Sequence, residues 1–422
     1  MIRERGVSSL EVVDACLTRI GHVNPKLNAV VQIAPEARDR ARAADARLAR
    51  REDVGPLHGV PFTVKDWIET EGLICAAGFA ERSQFVPKHD ATVVARMRAA
   101  GAILLGKTNV NDGAPVYPRP NNPYDLKRSP GGSSSGEAAI IAAGGSPLGI
   151  GSDSGGSIRL PAAWCGVAGL KPTNGLVPNT GHFPRIGSMH DPRTTIGPLA
   201  RRVEDLELAL DVIAGADGRD PGVVPMPPGE PAAVPISALR VAWYTDVPGA
   251  TPTPAAVAVV DAAVRALRDA GADVSEAAPP RLDESMPITI AYWSRVQSSS
   301  LTEWAPHRSS TLTADAIERS IFEWERFRAS MLRFMGDYDV IVCPATAGVA
   351  PEHRALTSED FAYTLPYSLT RYPVVVLRCG ADSGMPVGVQ IVASAWHDHV
   401  ALAAAMRVED ALGGWAAPAR TD

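Results

Sequence analysis

The sequence predicts an α/β fold, and three observations lead to that prediction. Short apolar runs rich in β-branched residues alternate along the chain with segments of helical periodicity. Several helical segments begin at a capping residue and end at a glycine. With 422 residues, 45% of them apolar and 21% charged, the chain has enough apolar side chains to bury a sizeable core. We expect a single domain over residues 1–422.

The helices are predicted from their periodicity and from the residues at their ends. The first begins after Ser8, because Ser8 and Glu11 have the spacing of a capping box. A later helix has Thr253 as its N-cap and Pro254 as its first residue. Its valines and leucine fall on one face, and Gly271 marks its end.

Five apolar runs are predicted as buried strands, because each is short, β-branched and bounded by polar or turn residues. These runs are AILLGK from Ala102, LRVAWYT from Leu239, YDVIVCP from Tyr338, PVVVLRCG from Pro373 and VGVQIVAS from Val387. A Pro/Gly-rich stretch at about 215–237 has the composition of a linker, but a βαβ-like pattern resumes after it. We interpret it as a surface loop between a motif-bearing core at about 55–200 and terminal strands and a helix at about 338–413.

Composition and charge argue against several classes of protein. The net charge is −6, and the arginine-rich segment Glu36 to Asp53 interleaves acids with its bases, so we expect no nucleic-acid partner. The N-terminal residues lack the apolar run of a signal peptide, and no run reaches the ~18 apolar residues of a membrane span. The five cysteines are widely spaced without a C-x-x-C pair. We therefore expect reduced thiols, a cytoplasmic protein and no membrane partner.

Two clusters rich in serine and glycine are candidate chemical motifs. They are SPGGSSSGEAA at residues 129–139 and GSDSGGSIR at residues 151–159. Paired glycines let backbone N–H groups converge, so either loop suits a phosphate or an oxyanion. A phosphate loop is disfavoured because the usual glycine-lysine and glycine-rich dinucleotide patterns are absent. A nucleophile elbow centred on Ser134 matches G-x-S-x-G, but the residues before it are typical of a loop and not of a strand.

A third candidate segment, HGVPFTVKDWIET, begins at His58 and contains a lysine. Lys65 follows a β-branched run, which places it at the end of a predicted strand. Such a lysine is commonly solvated at the edge of a sheet. The alternative is a buried general base, which needs the ordinary lysine pKa of ~10.4 to fall towards neutrality.

In this order, the Lys65 segment, GGSSSGE and GSDSGGSIRLPA closely resemble the amidase signature family. The likeness extends to GVPFTVKD, DATVVARMRAAGAILLGKTN, CGVAGLKPTNGLVP, TTIGPLARRVEDL, YDVIVCPAT and GMPVGVQIV, and it covers roughly residues 8 to 410. The resemblance implies the fold of that family, which is a large mixed central β-sheet covered by helices on both faces. It also implies an amidase that needs no cofactor and no metal.

The resemblance further implies a Ser-cisSer-Lys triad made of Ser157, Ser133 and Lys65. In that scheme neutral Lys65 takes a proton from Ser133, and Ser133 takes one from Ser157. Ser157 then attacks the amide carbonyl and forms an acyl-enzyme. The Gly132–Ser133 peptide bond is expected to be cis. The expected oxyanion hole consists of backbone N–H groups, those of Ser154, Gly155, Gly156 and Ser157.

Several neighbouring residues are expected to have structural roles. We expect the hydroxyls of Ser134 and Ser135 to order their loop. We expect Asp153 to accept N–H groups of its own loop and Arg159 to pair with an acid. Ser135 stands where the family generally has glycine, so a positive φ at this position would strain it.

Other departures from the family pattern concern the segments that border its substrate site. Residues 111–128 and 281–336 are shorter than is usual in the family. Arg371 and Tyr372 stand where glycine and an apolar residue are commoner, so the substrate does not follow from the resemblance. The candidate pocket residues, for each of which a place in the core is the alternative, are Tyr117, His182, Phe183, Trp293, Tyr363 and Tyr372.

The sequence therefore predicts an amidase that releases an acid plus an amine or ammonia. Aromatic pocket residues favour a small aliphatic or aryl amide as the substrate and partner. One alternative is the glutaminase-type component of a tRNA-dependent amidotransferase, which the shortened segments disfavour. Another is a catalytically inactive binding relative, which the intact Lys65, Ser133 and Ser157 disfavour. A homodimer is one assembly that the sequence leaves open.

Overall fold

The computed structural model of the chain describes residues 1–110, 116–184, 193–295, 297–298, 306–308 and 312–419. Within these residues, eleven strands form one sheet and two short strands form a separate pair. In chain order the strands are β1 Val30–Ile33, β2 Pro61–Lys65, β3 Ile103–Thr108, β4 Leu148–Asp153, β5 Ala168–Lys171, β6 Thr195–Ala200, β7 Arg240–Trp243, β8 Asp273–Glu276, β9 Gln297–Ser298, β10 Pro306–Arg308, β11 Val340–Pro344, β12 Val374–Asp382 and β13 Met385–Ala393.

The α-helices of the same described residues are α1 Ser9–Leu27, α2 Ala37–Ala49, α3 Thr92–Ala99, α4 Ser135–Ala142, α5 Arg159–Cys165, α6 Val203–Ile213, α7 Pro254–Asp269, α8 Ser285–Trp293, α9 Ala314–Phe334, α10 Ser358–Phe361, α11 Leu365–Leu369 and α12 Asp398–Leu412. Short 3-10 segments lie at Ala80–Arg82, Pro231–Ala233, Ile236–Ala238 and Leu282–Glu284. None of the helices described is both long enough and apolar enough to span a membrane.

The predicted helix starts are confirmed. The Ser8 side chain accepts the N–H of Glu11, and the Glu11 side chain accepts the N–H of Ser8, which completes the capping box of α1. The Thr253 side chain accepts the N–H of Ala256 at the start of α7. Local side-chain chemistry therefore determines where these two helices begin.

The sheet is mixed, as the fold class predicts. Its strand order is β1-β3-β2-β4-β6-β5-β12-β13-β11-β7-β8. β2 pairs in parallel with β3 and β4, and β7 pairs in parallel with β8 and β11. The other neighbouring pairs are antiparallel. All five predicted strand runs lie in this sheet, and strands on both sides of the 215–237 loop belong to it.

Helices cover both faces of the sheet, and β11 shows how. Successive side chains of a strand point to opposite faces. Val340 and Val342 belong to a hydrophobic core that also contains residues of α6, α7 and α12. Ile341 and Cys343 belong to a second core with residues of α1, α4 and α9. The expectation of helices on both faces is confirmed.

The parallel strands β2 and β4 end side by side. Phe62 lies opposite Leu148, and Val64 lies opposite Ile150. The carboxyl ends of adjacent parallel strands meet at the same edge of a sheet, where α/β proteins commonly bind ligands. This register brings the end of β2, at Lys65, next to the end of β4.

Candidate active site

Lys65 is the last residue of β2, and its side chain is fully buried, so the solvated alternative for this lysine is wrong. Its Nζ lies 2.7 Å from Ser133 Oγ and 3.0 Å from Ser152 Oγ. The carbonyl oxygen of Ser152 is 3.4 Å away, and the centre of the Trp67 ring is 4.2 Å away. Lys65 therefore contacts hydroxyl and carbonyl oxygens in the protein interior.

Ser152 connects Lys65 to a histidine that was expected in the substrate pocket. Ser152 Oγ lies 2.8 Å from His182 Nε2, and His182 Nδ1 lies 3.2 Å from the carbonyl oxygen of Pro184. The His182 side chain is fully buried. Both ring nitrogens thus contact groups of the protein itself. The expectation that His182 lines the pocket is corrected, because its ring is bonded to Ser152 in the interior.

Ser133 and Ser157 lie on two loops that are hydrogen-bonded to each other. Ser133 stands two residues before α4, and Ser157 stands two residues before α5. The N–H of Ser134 donates to the carbonyl oxygen of Ser157 at 3.1 Å. The Gly132–Ser133 peptide bond is cis, as expected. Ser133 is buried and Ser157 is half-buried, so Ser157 is the more accessible of the two.

A buried ion pair holds the loop that carries Ser157. Arg159 Nη2 donates to Asp153 Oδ1 and Arg159 Nε donates to Asp153 Oδ2, both at 2.9 Å, and neither side chain is exposed. Asp153 also accepts the N–H groups of Gly156 at 2.8 Å and Ile158 at 3.0 Å. Burial alone would raise the pKa of Asp153, but the charge and hydrogen bonds of Arg159 lower it to about 2. The expected structural roles of Asp153 and Arg159 are confirmed.

Thr364, for which no sequence pattern indicated a role, also holds this loop. Its Oγ1 donates to the carbonyl oxygen of Gly155 at 2.6 Å, and its own carbonyl accepts Arg159 Nη1 at 2.6 Å. Thr364 is 209 residues from Gly155 along the chain, so no local pattern relates them. The contact orients the peptide that precedes Gly156.

One of the expected oxyanion donors is already bonded. The N–H of Gly156 donates to the buried Asp153 carboxylate, so it is not available to a developing oxyanion and its assignment is corrected. Among the described residues, no acceptor faces the N–H groups of Gly155 and Ser157. These two N–H groups, together with that of Ser154, remain the candidate donors.

The loop-ordering role expected of Ser134 and Ser135 holds for only one of the two. Ser134 Oγ donates to the carbonyl oxygen of Ser152 at 3.2 Å and accepts its N–H at 3.3 Å, so its expected ordering role is confirmed. Residues 116–134 are all described and contain no strand, so a nucleophile elbow at Ser134 is excluded. Ser135 begins α4 with a negative φ, and the strain considered for it does not arise. Its buried hydroxyl has no hydrogen-bond partner among the described residues, which corrects its expected ordering role.

Three candidate pocket residues are half-buried, namely Tyr117, Phe183 and Trp293. Ring carbons of Trp293 lie 3.4 and 3.8 Å from the point that a Cβ on Gly155 would occupy. Tyr117 donates its hydroxyl to Asp66 Oδ2 at 2.8 Å. Trp293 is therefore the aromatic residue placed beside the loop that precedes Ser157.

Tyr363 and Tyr372 belong to the hydrophobic core, which corrects their assignment to the pocket. Tyr363 is fully buried and donates its hydroxyl to the carbonyl oxygen of Thr245 at 2.7 Å. Tyr372 is buried, and its carbonyl oxygen accepts Lys171 Nζ at 2.8 Å. Parts of the two shortened segments, residues 111–115, 296, 299–305 and 309–311, lie outside the described residues, so their shortening stays a prediction.

Glu137, on α4, is a buried carboxyl group that contacts two threonines of the sheet. Thr63 Oγ1 donates to Glu137 Oε2 at 2.7 Å, and Thr108 Oγ1 donates to Oε1 at 2.8 Å. Burial raises the pKa of Glu137 to about 8, although the two threonines and the charges of Lys107 and Lys65 oppose the rise. Burial thus opposes a full negative charge on Glu137 near Lys65.

The fold and the site define the chain as a hydrolase of the amidase-signature type, in which serine- and glycine-rich loops meet a buried lysine at the edge of a mixed sheet. The family model Amidase matches residues 11–402. The chain belongs to the amidase family, whose members hydrolyse amide bonds.

Known relatives match nearly the whole chain. It is 36% identical to the glutamyl-tRNA(Gln) amidotransferase A subunit of Roseiflexus castenholzii, with 97% of this chain and 93% of the relative covered. It is 34% identical to the acylamidase of Rhodococcus erythropolis, with 98% and 94% covered. The solved structure of 6-aminohexanoate cyclic dimer hydrolase with its substrate is similar with a TM-score of 0.87 at 27% identity, covering 100% of this chain and 97% of that chain. These relatives are named for different substrates, so the comparisons identify the family and leave the substrate open.

Proposed function

We propose that the protein hydrolyses a carboxylic amide to an acid plus an amine or ammonia through an acyl-enzyme on Ser157. The observation that carries the proposal is the 2.7 Å contact between Lys65 Nζ and Ser133 Oγ in a buried site at the end of β2. A serine hydroxyl is a weak nucleophile until a base accepts its proton. Lys65 is that base, and Ser133 relays the proton from Ser157.

Acylation moves two protons along the relay. Ser157 Oγ bonds to the carbonyl carbon while its proton passes to Ser133 Oγ, and the Ser133 proton passes to Lys65 Nζ. The C–N bond then breaks, and the leaving nitrogen receives the proton that Lys65 returns through Ser133. Water attacks the acyl carbon by the same relay, and the Ser157 oxygen leaves with the returned proton. One water is consumed per amide, and no cofactor or metal enters the cycle.

The tetrahedral intermediates need donors for their oxyanion. The N–H groups of Gly155 and Ser157, with that of Ser154, are the donors in this proposal. The contacts of Thr364 with Gly155 and of Asp153 with Gly156 support it, because each fixes one residue of the loop. A loop held in this way needs little reorganisation when charge develops.

Lys65 must be uncharged to accept a proton. Its complete burial favours the uncharged amine, because a charged group loses solvation in the interior. The raised pKa of Glu137 weakens the negative charge that would favour the ammonium form of Lys65. Both features support the role of Lys65 as the base.

The test of the base compares two buried lysines on neighbouring strands. Lys107 is on β3, where it lies opposite Val64 of β2. It is as fully buried as Lys65. We expect Lys65→Met to lower kcat by ~10²–10⁴-fold, the range of a general base, and Lys107→Met to keep kcat within about tenfold. Melting temperatures of both variants control for folding. A Lys65→Met variant within about tenfold of the wild type contradicts the proposed function.

The proposed substrate is a small aliphatic or aryl amide. The half-buried ring of Trp293 beside Gly155 supports a flat or short acyl group. We expect kcat/KM to be higher for acetamide, benzamide or an anilide than for a long-chain acyl amide. A steady rise of kcat/KM with chain length, by ~0.8 kcal/mol of binding for each methylene, contradicts this substrate class.

A second candidate substrate is glutamine, because one relative at 36% identity is part of a glutamyl-tRNA(Gln) amidotransferase. In that case the ammonia released would pass to a partner protein. The substrate panel therefore includes glutamine, with ammonia as the product measured. A preference for glutamine over every simple amide would favour this candidate.

A further inference from the structure

A chain of hydrogen bonds links Pro184 to Lys65 through His182 and Ser152. His182 Nδ1 lies 3.2 Å from the Pro184 carbonyl oxygen, and His182 Nε2 lies 2.8 Å from Ser152 Oγ. Ser152 Oγ lies 3.0 Å from Lys65 Nζ. The side chains of Lys65, Ser152 and His182 are all buried.

The Pro184 carbonyl determines the tautomer of His182. A carbonyl oxygen can only accept, so Nδ1 carries the proton and donates it to Pro184. When the ring carries this single proton, Nε2 has none and acts as an acceptor. Ser152 Oγ therefore donates its hydroxyl proton to His182 Nε2. Towards Lys65 the same oxygen can only accept.

This acceptor restricts the orientation of the Lys65 amine. A neutral lysine has two N–H groups and one lone pair. Ser152 offers it two acceptors, the hydroxyl oxygen at 3.0 Å and the carbonyl oxygen at 3.4 Å. With both N–H groups directed to these acceptors, the lone pair faces Ser133 Oγ at 2.7 Å. Ser133 then donates its proton along the path that the proposed relay requires.

His182 is anchored to the segment that follows Lys65. The backbone of His182 pairs with that of Ile68, and the N–H of Phe183 donates to the carbonyl oxygen of Trp67 at 2.7 Å. The His182 ring meets the Trp67 ring edge-on at 5.8 Å between centres. The imidazole is thereby held in a defined place relative to the end of β2.

We propose that His182 is a positioning residue that directs the lone pair of Lys65 to Ser133 by taking up the hydroxyl proton of Ser152. Without an acceptor at this place, the Ser152 hydroxyl can donate to the lone pair of Lys65 and compete with Ser133. The proposal rests on the function proposed above, in which Lys65 is the base. His182 itself touches neither the substrate nor the reacting atoms.

The tautomer is tested on the wild-type protein by nitrogen NMR, which needs no catalytic variant. The chain has nine histidines, so the ring signals of His182 are assigned by their loss in His182→Gln. We expect long-range proton–nitrogen correlations to show His182 protonated at Nδ1 and unprotonated at Nε2 at the pH of the assay. A proton on Nε2 overturns the proposal.

The kinetic test removes the acceptor and then restores it. We expect His182→Leu to lower kcat by ~10–100-fold, the size of effect seen when a group that orients a metal ligand is removed, with KM unchanged. We expect His182→Gln, which retains an acceptor oxygen of similar reach, to recover most of that kcat. A His182→Leu variant with wild-type kcat, or a glutamine variant no better than leucine, overturns the proposal.

His58→Leu is the matched control for loss of a buried histidine. His58 is 3% exposed, and its Nε2 contacts the carbonyl oxygen of Ala44 at 3.0 Å. We expect this variant to lower the melting temperature and to leave kcat unchanged. If His58→Leu and His182→Leu lose kcat to a similar extent, general destabilisation explains both losses, and the proposal is overturned.

A double variant tests whether His182 acts through Ser152. If it does, Ser152→Ala with His182→Leu is no slower than Ser152→Ala alone, whereas independent effects multiply. Multiplying effects overturn the proposal.

The Lys65→Met variant distinguishes a failure of the proposed function from a failure of the role proposed for His182. An active Lys65→Met refutes the proposed function, whereas an inactive Lys65→Met with a fully active His182→Leu refutes only the role of His182.

Discussion

Replacing Asp153 by asparagine removes the charge that holds the loop of Ser157. The Asp153 carboxylate is fully buried, pairs with Arg159 at 2.9 Å and accepts the N–H groups of Gly156, Ile158 and Arg159. Asparagine keeps one acceptor oxygen and puts an amide donor in the place of the other. The Arg159 guanidinium is then a buried cation without a carboxylate partner.

Asp153→Asn loses both a buried ion pair and the stabilisation of a lowered pKa, and the two have a similar size. Removing one partner of a buried ion pair costs about 3–5 kcal/mol. The pKa of Asp153 is lowered from 3.8 to about 2, which corresponds to roughly 2–3 kcal/mol at about 1.4 kcal/mol for each unit of pKa. We expect a loss of about 3 kcal/mol at neutral pH. Because the folded-state pKa is lowered, this stabilisation is present above about pH 4 and is lost as the pH falls towards about 2.

The assay is urea unfolding followed by tryptophan fluorescence and far-UV circular dichroism, since coincident transitions justify a two-state treatment. The control is Asp315→Asn, which breaks an ion pair with Arg319 of 2.8 Å whose side chains are 80% and 73% exposed. We expect the control to lose less than about 1 kcal/mol. A loss below about 1 kcal/mol for Asp153→Asn, or equal losses for both variants, refutes the reasoning.

Two further predictions concern Glu137 and Gly156. Because burial raises the pKa of Glu137 from 4.5 to about 8, the folded protein keeps a proton that the unfolded chain releases, and stability falls as the pH rises through that window. We expect Glu137→Gln to gain stability relative to the wild type by about 1.4 kcal/mol per pH unit in urea titrations across that window, and a pH-independent difference would contradict this. Gly156 has a φ of +141°, and a Cβ on it would lie 2.7 Å from Thr364 Oγ1, so we expect Gly156→Ala to disturb the loop and lower kcat. Gly144→Ala, at a φ of +79° with no atom within 4 Å of its Cβ, should keep kcat, and equal kcat for the two variants would refute the argument.

Local chemistry explains which features could be predicted from the sequence. The strand that ends at Lys65 follows from its β-branched run, whereas the neighbouring strand β4, LGIGSD, has no such run and was not predicted. Ser8 and Thr253 identify the starts of their helices because a cap involves residues only three apart. The cis bond before Ser133 follows from the family resemblance and not from any local pattern.

Features that the sequence could not predict depend on contacts between distant parts of the chain. Ser152 and His182 are 30 residues apart, and they meet only because the segment around His182 pairs with the segment after β2. Tyr363 and Tyr372 are aromatic residues of the kind that line a pocket, but packing places both in the core. The N–H of Gly156 is bonded to Asp153, and Gly156 has a positive φ, neither of which the sequence specifies.

The most direct test of Ser157 as the nucleophile is peptide mapping after reaction with a fluorophosphonate. Intact mass gives the number of adducts per chain, and fragmentation of the labelled peptide locates the modified residue. We expect a single adduct on Ser157, which is absent from Ser157→Ala and forms much more slowly in Lys65→Met. An adduct on Ser133 or Ser134, or unchanged labelling of Ser157→Ala, would contradict the mechanism.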